Sequence, residues 1–218
     1  MKKKELGITV LYFVLWVLTP LALWQLVQHF QNHGYSLVNA IMHASWLTDS
    51  CKSIFLSGVI IMTYTHRGSI SDHWSKWKQR KTIQWAVIGL GAILVYQLLY
   101  ALVLPMNDGG NGTTEYVAQF LSNTWWMLNL VIAGPVVEEL FFRKVLFGSN
   151  IFGYRWIWRA IGSSLLFALF HADWMYYFLY FGMGLLLVMV YSKTRTITAP
   201  IAVHIMLNAL VLVIHVIG

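Results

Sequence analysis

The sequence predicts an all-α, polytopic membrane helix bundle with about seven transmembrane helices and a cytoplasmic amino terminus. Three observations lead there. Of 218 residues, 58% are hydrophobic and only 11% charged, whereas a soluble domain carries about 25% charged residues. Apolar stretches recur near the ~20-residue length that a helix needs to cross the hydrocarbon core. Lys and Arg gather on alternate connections between those stretches, the pattern that marks cytoplasmic loops.

The first span is expected at residues 6–30. Its apolar run continues to about Trp24, too long for the core of a signal peptide, and no small-residue cleavage site follows. Further spans are expected at 36–65, 82–105, 122–148, 156–172, 174–192 and 197–217. The second is long and interrupted by "TDSCK", so one helix or two fit it equally. The fifth is short. With the amino terminus inside, the inner segments are 1–5, 66–81, 143–159 and 193–195, and they hold every Lys and Arg except Lys52. The outer loops hold Asp108, Glu115 and Asp173 and no cation. Residues 1–121 read as amino-terminal spans with a basic loop, and residues 122–218 as a four-helix core that carries the chemistry.

A net charge of +7 raises the question of nucleic acid. The basic, aromatic stretch "HRGSISDHWSKWKQRK" (66–81) is better read as a loop among lipid headgroups, with Trp74 and Trp77 at the interface and the cations on anionic lipid. Membrane lipid is therefore the expected partner, and nucleic acid is not. Cys51 is the single cysteine, which excludes an internal disulfide and any CxxC motif. Asn111-Gly112-Thr113 forms a glycosylation sequon in a turn-rich outer loop.

Ionisable groups inside a span cost at least ~2.5–3.5 kcal/mol each at mid-helix, so they are functional candidates. Asp49 and Lys52, three apart, can pair with each other. In "GPVVEELFFRK" (134–144), Glu139 and Arg143 stand four apart with the acid first, the favoured order for an intrahelical ion pair. Glu138 points about 100° away around the helix and has no partner at i+3 or i+4, which makes it the candidate general base. "FALFH" sets Phe167 and His171 on one helical stripe, and "HIMLN" does the same for His204 and Asn208. Measured from the inner ends, Glu138 lies ~15 Å deep, His171 ~18–22 Å, His204 ~10–13 Å and Asn208 ~17–20 Å. These depths overlap across three helices. Together they supply a base, a histidine to hold a water, and a His/Asn donor pair for an oxyanion. No HExxH, GxSG or GxGD motif is present, and "IGSSL" (161–165) reads as a helix-packing patch of small residues.

EExxxR, FxxxH and HxxxN, in that order on separate helices, resemble the CPBP family: CAAX prenyl proteases of the Ras-converting type and bacteriocin-processing or immunity proteins, also called Abi. The resemblance covers about residues 123–212. It implies a glutamate-type intramembrane endopeptidase in which Glu138 and His171 activate water, His204 and Asn208 form the oxyanion hole, and Glu139, Arg143 and Phe167 order the site. A hydrophobic, lipidated or leader peptide is the implied substrate, a bacterial plasma membrane the expected location, and bacteriocin self-immunity or peptide maturation the expected setting. No cofactor is expected. If zinc were held, Glu138, His171 and His204 would be its ligands, but no HExxH pre-arranges them. The alternatives are a non-catalytic immunity or binding protein and a small proton-coupled transporter. The transporter reading expects inverted repeats, and none is found.

Overall fold

The computed structural model describes residues 3–65, 76, 79–104, 127–171 and 173–217. Most of the basic loop 66–81, the sequon at 111–113, and the outer-loop acids Asp108 and Glu115 lie outside the described residues. Helices α1 (Lys3–Asn32), α2 (Leu37–Thr65) and α3 (Arg80–Val103) come first. A composite helix, α4, follows: π-helical Asn129–Ala133, α-helical Gly134–Glu139, then π-helical Leu140–Phe147. Helices α5 (Trp156–Phe170), α6 (Tyr177–Thr194) and α7 (Thr198–Ile217) complete the chain.

The expected spans match these helices closely, and α2 settles the open question at 36–65: it is one continuous helix. The interrupting polar residues fit because Lys52 Nζ lies 2.8 Å from Asp49 Oδ1 within the helix, so each charge meets its opposite. By length and composition, α1, α3 and α6 can cross a membrane, while α5 and Thr198–Ile214 of α7 are shorter apolar helices. Leu98, Leu99, Leu102 and Val103 on α3 are each more than half exposed. In water such an apolar face would be an aggregation liability; against acyl chains it is the expected outer surface.

Between helices, lipid supplies no hydrophobic driving force, so close packing and hydrogen bonds hold the bundle together. Small residues allow that approach. Gly89 of α3 sits against the Val190 side chain of α6, and Gly182 of α6 against the Tyr96 ring of α3, with no room for a Cβ at either. Tyr96 and Tyr100 then donate to the carbonyls of Phe178 and Met175 at 2.6 and 2.9 Å, fixing α3 beside the start of α6. A Cβ at Gly184 would lie 3.0 Å from Ser164 Cβ, so α5 and α6 meet there. The "IGSSL" patch thus lies at a helix junction, where Ser163 Oγ also donates to the Phe142 carbonyl of α4 at 2.7 Å.

Helix α4 is the hub, touching α1, α2, α5 and α7. Phe141, Phe142, Val145 and Leu146 are fully buried around it. Tyr12 of α1 stacks on Phe141 with ring centroids 3.6 Å apart and meets Phe142 and Phe170 edge-on. These rings join α1 and α5 to the helix that carries the two glutamates.

Candidate active site

The backbone of α4 follows from Gly134-Pro135. In a π register the N–H of residue i reaches the carbonyl of i−5, as Gly134 does to Asn129. The next donor would come from Pro135 to Leu130, but proline has no N–H. The stranded Leu130 carbonyl accepts a hydrogen bond from Asn208 Nδ2 of α7 at 2.9 Å. A side chain thereby replaces the missing backbone donor and ties α7 to the start of α4. Pro135 opens the α-helical segment, a position where its ring is tolerated. That short segment carries Glu138 and Glu139.

Glu139 and Arg143 are both completely buried, with Arg143 Nε 2.9 Å from Glu139 Oε2. The spacing predicts this contact. Nε is not aligned for a hydrogen bond to that oxygen, so the attraction is a close ion contact. The guanidinium also lies over the Phe167 ring, 4.7 Å from its centroid, and gains cation–π stabilisation there. The second oxygen of Glu139 turns to α7, where His204 Nδ1 stands 3.1 Å from Oε1. A carboxylate only accepts, so Nδ1–H is the donor. One buried carboxylate therefore grips a cation on its own helix and orients an imidazole 65 residues away in sequence.

That grip leaves Nε2 as the free nitrogen of His204. It lies 3.9 Å from Glu138 Oε2, too far for a direct hydrogen bond and suited to a molecule placed between them. Glu138 differs from Glu139 in the way its position on the helix predicts: its side chain is 28% exposed and makes no i+4 ion pair. Adjacent glutamates thus occupy different environments, one sealed and paired, the other open.

His171 terminates α5, and its Nδ1 donates to the Phe167 carbonyl one turn back at 2.8 Å. The other nitrogen, Nε2, is consequently the acceptor in the neutral ring. The ring stacks on Tyr180 of α6 with centroids 4.0 Å apart. Phe167 touches the imidazoles of both His171 and His204, at 4.5 and 5.9 Å.

The structure therefore brings Glu138, Glu139, Arg143 and His204 together directly, joins His171 to them through the Phe167 ring, and sets Asn208 on the α4 backbone. Tyr180, stacked on His171, and the Leu130 carbonyl, bonded to Asn208, are neighbours that no motif spacing indicates. Only Pro135, three residues before Glu138, hints at an orphaned acceptor. Among the described residues, no three His, Cys, Asp or Glu side chains are grouped as a metal-binding set. His204 Nδ1 is committed to Glu139, and the rings of His171 and His204 flank Phe167.

Apolar helices thus surround an oriented imidazole and a partly exposed carboxylate. Residues 119–210 match the family model described as type II CAAX prenyl endopeptidase Rce1-like. The chain is 28% identical to the membrane-embedded CAAX protease MroQ of Staphylococcus aureus (strain USA300), covering 94% of this chain and 87% of that one. It is also 28% identical to the putative membrane peptidase YdiL of Bacillus subtilis (strain 168) over 58% of each chain. Similarity to the UPF0177 protein YbdI of Lactococcus lactis subsp. lactis (strain IL1403) reaches 30% identity over 59% of this chain and 70% of that one. No solved structure matches the chain significantly. The chain belongs to the CPBP family, and it is a multi-pass membrane endopeptidase.

Proposed function

We propose that the peptidase works by water activation at Glu138, on a hydrophobic, lipidated or leader-bearing peptide entering from the bilayer. The observation that carries this reading is the division of labour in the EE pair. Glu139 is sealed between Arg143 and His204, while Glu138 is open and 3.9 Å from His204 Nε2. A water between Glu138 and the scissile carbonyl gives its proton to the carboxylate as its oxygen attacks carbon. His171, whose Nε2 accepts, helps to hold that water. The developing oxyanion is met by His204 Nε2–H when the ring carries both protons, with Asn208 beside it. Glu138 then returns the proton to the leaving amine, so the two products are a carboxylic acid and an amine.

Asn208 retains one amide hydrogen after its bond to Leu130, since a primary amide has two donors. Its contribution to the oxyanion hole thus coexists with its hold on α4. The proposed chemistry requires no metal, because the base, the orienting acid and the donors are all supplied by side chains. Bacteriocin self-immunity or peptide maturation is the biological setting we propose for the cleavage.

Direct water attack differs in isotope pattern from acyl transfer to Glu138 followed by hydrolysis at the Glu138 carbonyl, which leaves the label on the enzyme. In a single turnover in H₂¹⁸O, direct attack places one ¹⁸O in the new carboxylate from the first cycle. An unlabelled first product would show that Glu138 itself attacks the carbonyl, which overturns the general-base role. Cleavage should also persist after exhaustive chelation with EDTA and 1,10-phenanthroline. Loss of activity restored by added zinc would overturn the metal-independent reading.

A further inference from the structure

A cavity lined by cations and aromatic rings lies at the cation-rich end of the bundle, which charge placement assigns to the cytoplasm. It measures about 400 Å³ and is bounded by α4, α5, α6 and the residue that closes α6. Lys144, Arg159 and Arg195 line it, and among the described residues no acidic side chain does. One wall is aromatic: Phe147 meets Trp156 edge-on at 6.2 Å and Tyr191 at 6.0 Å. Trp156 Nε1 donates to Ser192 Oγ at 3.1 Å, which fixes that wall to α6.

Two features set this cavity apart from a solvated basic patch. Arg159 holds its guanidinium 5.4 Å from the Phe147 ring centroid, with a buried Nε that meets no acceptor among the described residues. Arg195 is the one described non-glycine residue with positive φ, at 56°. A non-glycine side chain in the left-handed region is uncommon and marks a position where surrounding structure dictates the backbone. Arg159 and Arg195 bring two guanidinium groups to one space, where like charges repel, so the site favours an anion. Its volume lies within the range of small-ligand pockets, about 300–1,000 Å³.

We propose that this cavity binds the phosphoryl group of an anionic phospholipid. The location favours lipid over a soluble anion. Basic pockets between spanning helices at the cytoplasmic side suit acidic headgroups, and Tyr154, Trp156 and Trp158 next to this one are exposed by 86, 47 and 54%. Large amphipathic rings of this kind settle at headgroup level. The site is separate from the glutamates: none of Glu138, Glu139, His171, His204 or Asn208 lines it.

The test uses the purified full-length chain in a neutral detergent, titrated with phosphatidylglycerol while thermal unfolding is followed. Phosphatidylglycerol should raise the midpoint, and phosphatidylcholine should not. Arg159→Gln and Arg195→Gly should each weaken the apparent lipid affinity roughly five-fold. Glycine accepts the positive φ, so Arg195→Gly removes the cation and leaves the turn relaxed. Lys193→Gln is the control, because Lys193 lies over the Trp85 ring, outside the cavity; its affinity should match the unaltered protein. Unchanged lipid affinity in both cavity variants would overturn the proposal. So would an equal midpoint shift from inorganic phosphate, or from a peptide carboxylate, at the same concentration.

Discussion

At the scale of single residues, the site depends on one carboxylate having two partners. Glu139 is fully buried, and an isolated charge there would be strongly disfavoured. Arg143 makes a close ion contact with one of its oxygens, and His204 hydrogen-bonds the other. Arg143→Ala should therefore destabilise the protein by about 3–5 kcal/mol, since it leaves Glu139 without its cation. The change should appear as a lower unfolding midpoint in detergent and poor accumulation in membranes; a normal midpoint would contradict the ion-pair account. The i,i+4 half of this arrangement is legible from "EELFFR". The other half is not, because His204 is distant in sequence and nothing local to either residue shows which face of α7 meets α4. The separate environments of Glu138 and Glu139 follow directly from their 100° offset on one helix. Tyr180 escapes a reading of spacing altogether: a tyrosine in an aromatic-rich span has no motif to distinguish it from an interface anchor.

At the scale of elements, α4 is the part whose winding could not be read in advance. A single apolar stretch at 122–148 predicts a span, and Gly134-Pro135 within it marks only a local weakness. The structure resolves that weakness into a π-to-α change with Asn208 covering the orphaned Leu130 carbonyl. Asn208→Ala should then cost about 1 kcal/mol or more. In a Pro135→Ala background the cost should shrink, because residue 135 regains an N–H to offer the same carbonyl. A double-mutant cycle on unfolding free energy reads this coupling, and strict additivity would contradict it. The α3–α6 contact makes a second prediction. Gly89 abuts Val190, whereas a Cβ at Gly91 has nothing within 4 Å. Gly89→Ala should destabilise by about 1–3 kcal/mol through overpacking, while Gly91→Ala should be neutral or stabilising by up to about 1 kcal/mol. Equal effects at the two positions would refute the close approach.

At the scale of the whole molecule, composition and charge placement already specify a polytopic helical bundle, because a bilayer admits few other solutions for apolar backbone. Helix boundaries are legible to within a few residues for the same reason. Which helices neighbour which is not, since apolar faces in lipid carry little sequence contrast between buried and exposed sides. Small residues offered a partial guide: "IGSSL" does lie at a helix junction, with Ser163 and Ser164 fully buried. Orientation is testable with one engineered thiol at a time, because Cys51 is the only cysteine to remove. In a Cys51→Ala background, Arg155→Cys and Lys193→Cys should react with an impermeant maleimide in inverted vesicles alone. Asp173→Cys should react in intact cells alone. The opposite pattern would invert the assigned topology and move the basic cavity to the outer face.

The central claim is that Glu138 performs the chemistry while its neighbour holds the site together. Glu138→Gln keeps the shape of the side chain and removes its ability to take a proton, and its partial exposure leaves the fold little reason to respond. Single-turnover cleavage of a peptide that the unaltered enzyme cuts should fall by at least about 100-fold, with the unfolding midpoint unchanged. Cleavage at the original rate by a correctly folded Glu138→Gln protein would contradict the account.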